Sequence, residues 1–248
     1  MTFIEKKPNL IIVPDDEYAY GIENGFYPEL YEDRQNKEIA IVSQEKAKKE
    51  YLISYPKANG IYIRDPYLDR YLDIEASKTE DELISSKCLA IREVLVAFGV
   101  YSAIIEEEVT NKEKYSRELG GNVGNKIGEV SINTVSNKTR SLNISNCLTL
   151  DPYPRKTKDI GEVKDIALKY GVAEDATIKP YIDRLERDGE LLGSETLEIK
   201  YLTELDDAFS LTANLEIFKA NFGFHLKTEK SEEHTFIKKL TVCFTKPL

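Results

Sequence analysis

Histidine and cysteine are scarce in this chain, with two and three residues among 248. The histidines, His225 and His234, flank what reads as the last hairpin, and a turn centred near Lys230 and Ser231 leaves them not directly opposed. A metal site joining them to Glu232 or Glu233 competes with the simpler reading of a charged, polar turn. Cys88, Cys147 and Cys243 are far apart, odd in number and without a CxxC or Cys/His spacing, which excludes a zinc framework of the usual kind. Cys88 and Cys243 sit in apolar patterns and read as buried thiols. Long apolar runs are missing too, since none reaches the ~18 residues of a spanning helix. The start, MTFIEKKPNLIIVP, places charges before a very short apolar run, so it reads as neither signal peptide nor anchor, and a cytoplasmic protein is expected. Cations are outnumbered, 34 to 44, giving a net charge of −10 and a pI near 5.0. Such a surface repels a phosphate backbone and disfavours nucleic acid as a partner. Tryptophan is absent, whereas 15 Tyr and nine Phe point to half-buried pleated surfaces.

With 41% hydrophobic residues the chain has the composition of a folded protein. Asn9–Val13 and Glu38–Ser43 read as short buried strands, and Ile61–Arg64 as another, halted by Asp65-Pro66. Between the first two lies a Tyr-, Gly- and acid-rich stretch, Asp15–Asn36, which reads as a long loop. Thr79-Glu80-Asp81-Glu82 fits a capping box, followed by Ile84, Cys88, Ile91, Leu95 and Phe98 on one helical face and by a Gly99 stop. A strand follows at Tyr101–Glu108, and Glu129–Leu150 reads as a β-hairpin with a Ser/Asn-rich wet face. Asp151-Pro152-Tyr153-Pro154 breaks the pattern. Helices are predicted at Glu162–Tyr170 and Pro180–Asp188, with strands at Thr196–Leu205, Phe209–Phe218, Ala220–Lys227 and Thr235–Phe244. The fold class expected is α+β, an antiparallel or mixed sheet packed by one long amphipathic helix and a shorter helix pair. One domain, 1–248, is expected, with a subdivision point near 151–158 that would separate 1–150 from 159–248.

Four segments bear on chemistry. Gly121-Asn-Val-Gly124-Asn-Lys126-Ile127 misses the phosphate-loop pattern, because the lysine comes one place late and Ile127 stands where a magnesium-holding hydroxyl belongs. A period-two strand pattern follows it, where phosphate binding needs a helix start. Residues 166–185 resemble a helix-turn-helix through Ala167, Gly171 and Val172. Pro180 argues against it if it falls inside the second helix, at a cost of ~3 kcal/mol. So does the count of five basic and eight acidic residues from Glu162 to Glu190. The alternating 129–150 segment could serve a membrane-inserting hairpin, although Asn146 interrupts its apolar face and an ordinary one-sided sheet gives the same pattern. The paired carboxylates Asp15-Asp16-Glu17 and Glu106–Glu108 are adjacent as chance allows among 44 acids.

No catalytic motif, metal cluster or cofactor loop emerges, and no cofactor is expected. The leading expectation is a non-enzymatic binding or accessory protein with a protein partner. A membrane-active effector working through 129–150 and a DNA-binding regulator working through 166–185 are the alternatives. The contact residues expected are Tyr18, Tyr20, Phe26, Tyr27 and Tyr31, because tyrosine gives large contact area with a hydroxyl at low entropic cost.

Overall fold

The computed structural model describes residues 7–30, 33, 35–76, 78–110, 116–119, 148–201, 207, 211, 215, 226–229 and 236–245. Its class is α+β. The first half is a four-stranded mixed sheet, with the strand at Leu10–Val13 between those at Ile39–Ile41 and Gly60–Asp65 and the one at Arg70–Asp73 on the far side of Gly60–Asp65. β1 (Leu10–Val13) pairs parallel with β2 (Ile39–Ile41) and antiparallel with β3 (Gly60–Asp65), which forms a hairpin with β4 (Arg70–Asp73). Every side chain of β1, LIIV, is buried. Leu10 and Ile12 join one apolar cluster, while Ile11 and Val13 join another on the opposite face. A continuous apolar run is what a strand covered on both sides requires.

Helices supply the covers. α1 (Asp16–Glu23) places Ile22 in the first cluster, and α2 (Gln44–Glu50) places Ala47 in the second. The Asp15–Asn36 stretch expected as a loop is thus helical over its first part. Asp15 caps the helix by accepting from the Tyr18 N–H at 3.0 Å, and Asp16 and Glu17 occupy the positive end of its dipole. Gly21 hid this helix from the pattern. A Cβ there would stand 2.4 Å from the Tyr27 ring, so glycine serves packing rather than a turn. α2 starts at Ser43, which accepts from the Lys46 N–H at 3.4 Å.

The long helix α3 (Thr79–Ala97) joins the two halves. Ile84, Cys88, Ile91, Leu95 and Phe98 are all buried, as their spacing implies. The helix is more enclosed than a surface amphipathic one, since Leu83, Ala90, Val94 and Ala97 are buried too. Leu83 belongs to the cluster of the first sheet, and Ile84 onward to the cluster of the second half. The expected capping box is absent. Lys78 is the N-cap, and the Thr79 hydroxyl instead donates to the Asp73 carbonyl at 2.5 Å, tying the helix to the end of β4. Arg70 strengthens the joint by reaching both the buried Asp65, at 3.2 Å, and Glu82, at 3.0 Å.

The second half holds α4 (Ile160–Lys169), α5 (Lys179–Asp188) and a three-stranded antiparallel sheet. Its strands are β5 (Ser102–Thr110), β7 (Ser194–Tyr201) and β9 (Phe236–Cys243), in the order β5-β9-β7. β6 (Ser116–Leu119) pairs with β8 (Leu226–Glu229) separately. Along β7 the side chains alternate, with Leu197, Ile199 and Tyr201 buried and Ser194, Thr196, Glu198 and Lys200 exposed. One face of this sheet is core and the other is wet. Gly171, between α4 and α5, has φ +65°, and a Cβ there would lie 2.6 Å from the Pro66 carbonyl oxygen. The helix–helix turn therefore sits directly on the β3–β4 turn. The predicted hairpin 129–150 lies outside the described residues except for its end, where Leu150 bridges Ala103. Most of the strand expected at 209–218 lies outside them as well, and Leu211, which is described, is helical.

Candidate functional site

Of the aromatic residues expected to make contacts, Tyr20 and Phe26 are 63% and 66% exposed. Their rings meet edge to face with centroids 6.2 Å apart. Tyr18 and Tyr27 are half-buried, 5.8 Å apart, and pack against the cluster formed by Leu10 and Ile12. Tyr31 lies outside the described residues. Two of these rings thus seal the core and two remain in solvent.

A second surface is one that sequence reasoning did not find. α5, the turn before it and strand β7 enclose an open groove of about 710 Å³, which also reaches Lys87 of α3. Lys87 is buried, stands 3.7 Å from Asp175 and lies 5.7 Å from the centre of the Tyr67 ring. Glu195 of β7 accepts a hydrogen bond from the Tyr181 hydroxyl at 2.9 Å and another from Arg184. Burial alone would raise the Glu195 carboxyl, but the hydrogen bonds from Arg184 and Tyr181 and the guanidinium charge outweigh it and hold it below the ordinary range. Burial first, and then the neighbouring Glu195, pushes the Tyr181 hydroxyl upward. Arg184 also lies over the Tyr181 ring at 5.2 Å and the Phe244 ring at 5.8 Å. Its Nη2 is buried without a hydrogen-bond partner among the described residues. The only sequence sign of this site is the alternation of β7, which reports a face and not a neighbour.

The helix pair bears on the DNA-binding alternative. Pro180 stands in the first turn of α5, where no preceding carbonyl waits for its missing N–H. The objection that it breaks the second helix is therefore removed. The charge objection stands on geometry as well as on counting. Lys179 pairs with Glu174, Lys164 with Glu186 at 2.6 Å, Arg184 with Glu195 and Arg187 with Asp188 at 2.8 Å. Each cation of α5 already faces a carboxylate.

The glycine-rich 117–128 segment, His225 and His234 lie outside the described residues. Among those described, no group of three or more His, Cys, Asp or Glu could hold a metal, and no helix is long and apolar enough to cross a membrane. No family model, curated protein or solved structure matches the chain.

Proposed function

We propose that this chain is a non-enzymatic binding protein whose second half is a winged helix-turn-helix turned toward a protein partner. One observation carries the reading: the order α3, β5, α4, α5, β7, β9, with β9 lying between β5 and β7 and the β6–β8 pair inserted as a separate ribbon. In that frame α4 and α5 form the helix-turn-helix, and the β7–β9 pair forms the base of the wing. A winged helix serves nucleic-acid or protein recognition, and fold alone does not choose between them. Charge chooses here. A DNA reader presents surplus Lys and Arg to phosphates, whereas α5 presents cations already engaged by carboxylates, on a chain of net charge −10. The exposed Tyr20–Phe26 pair offers a second contact area of the aromatic kind that protein interfaces favour.

Two measurements on the full chain test this. An electrophoretic shift with a random duplex at low salt should show no complex, and a photo-crosslinker placed at Asp183 should trap a protein from the native cell extract. A shift whose affinity falls steeply with salt would instead establish the DNA-binding alternative.

A further inference from the structure

The stop that ends α1 is hydrogen-bonded in a defined way, and it fixes two rings in solvent. The Gly25 N–H donates to the Ile22 carbonyl at 3.1 Å, and the Phe26 N–H to the Gly21 carbonyl at 2.8 Å. Gly25 supplies the left-handed backbone between them, with φ +75°. A helix closed this way brings the residue after the glycine against the last turn, here Phe26 against Tyr20. The contact closes the helix but shelters neither ring, whereas Tyr18 and Tyr27 of the same segment seal the core.

The electrostatics of this end favour a cation. The C-terminus of a helix is the negative end of its dipole, where lysine or arginine is stabilising. α2, α4 and α5 each place one there, as Lys49, Lys169 and Arg187. The last turn of α1 has no basic residue and carries Glu23. Asp16 and Glu17, one turn before Tyr20, and Glu23, one turn after it, are exposed at spacings that share its helical side. Among the described residues none of the three is in an ion pair. Residues 8–33 hold seven carboxylates and no Lys or Arg. Lys7, before them, is engaged by Asp69 at 2.6 Å, and Arg34, after them, lies outside the described residues. The rings add to the preference, because an aromatic face attracts a cation. A phosphate surface would meet like charge here, and so would a second copy of a chain at net −10. We infer that the C-terminal end of α1 docks a basic segment of a protein partner, with an arginine or lysine side chain set against the Tyr20 and Phe26 rings. The inference rests on the protein-binding reading and adds the place and chemistry of one contact.

A phage-displayed library of linear peptides, selected on the full chain, supplies the probe, and affinity is read by fluorescence anisotropy. Enriched peptides should be rich in Arg or Lys, and replacing those residues by glutamine should weaken binding about tenfold. Glu23→Lys supplies the missing cation from within the chain. It should weaken binding about tenfold while the melting temperature holds or rises, because lysine suits that helix end. Tyr20→Leu keeps an apolar side chain beside Phe26 but removes the ring face, and should weaken binding about three- to fivefold. Basic peptides that bind both variants as tightly as wild type, or a selection that yields no basic peptide, would overturn the site. If the protein trapped through Asp183 binds Glu23→Lys undiminished, this end of α1 is excluded while the protein-binding reading stands.

Discussion

The two sheets of this protein are built for different surroundings. β1 is apolar at every position and covered on both faces, by α1 on one side and α2 on the other. β7 alternates, with Leu197, Ile199 and Tyr201 buried, one face exposed and, among the described residues, one edge without a strand partner. A strand closed on both sides needs apolar residues at every position, whereas one open on a face needs them only at alternate positions. α3, which inserts Leu83 into one core and Ile91 into the other, holds the two together.

The largest effects test the closure itself. Ile11→Ala and Ile12→Ala should each destabilise by about 2–5 kcal/mol, although they face opposite sides of the same strand. In β7 the same experiment should split, with Leu197→Ala in that range and Thr196→Ala under about 0.5 kcal/mol. Chemical denaturation measures all four. A small loss for Ile11→Ala would mean that the α2 side is not a true core.

Next in size is the joint between the halves. Gly171→Ala must hold alanine at φ +65° with its Cβ 2.6 Å from a backbone oxygen. The left-handed backbone costs roughly 1–2 kcal/mol, and the contact with Pro66 adds to it. A thermal melt within error of wild type would show that the two turns do not touch.

Smaller still is the acid dependence of the groove. The Glu195 carboxyl is lowered in the folded state, so its contribution is present above its unfolded value, near 4.3, and is lost as pH falls through the folded one. Glu195→Gln should therefore lose less stability than wild type on acidification below about pH 5, by less than about 1 kcal/mol because the pair is partly exposed. Parallel pH–stability curves would remove the Glu195–Arg184 interaction from the account. The smallest effect belongs to the first half. Tyr20→Ala combined with Phe26→Ala should change folding stability by under about 0.5 kcal/mol, since both rings stand in solvent, while reducing partner capture. A loss of several kcal/mol would make these rings part of the core.

Local patterns were legible wherever they depended on near neighbours in the chain. The face of α3, the positive-φ stops at Gly99, Gly171 and Gly189, and the buried run of β1 follow from spacing alone. The missed elements had weak local signals. α1 carries a glycine for the sake of the Tyr27 ring, α2 is seven residues long, and β4 is only RYLD. Thr79 shows the limit most clearly: its sequence context implied a cap, but a carbonyl at the end of β4 lay within reach and took the hydroxyl.

The acidic charge and the alternation of β7 were set by the sequence on its own, because composition and period-two patterning need no partner to be read. That β9 lies between β5 and β7, with β7 at the side of the sheet next to α5, was decided by tertiary structure alone. The physical reason is that alternation assigns a side chain to a face, while the neighbour across a ladder is chosen by long-range pairing. Residues 236–243 pair with 194–201 across an intervening stretch of chain whose own pattern carries no record of that choice.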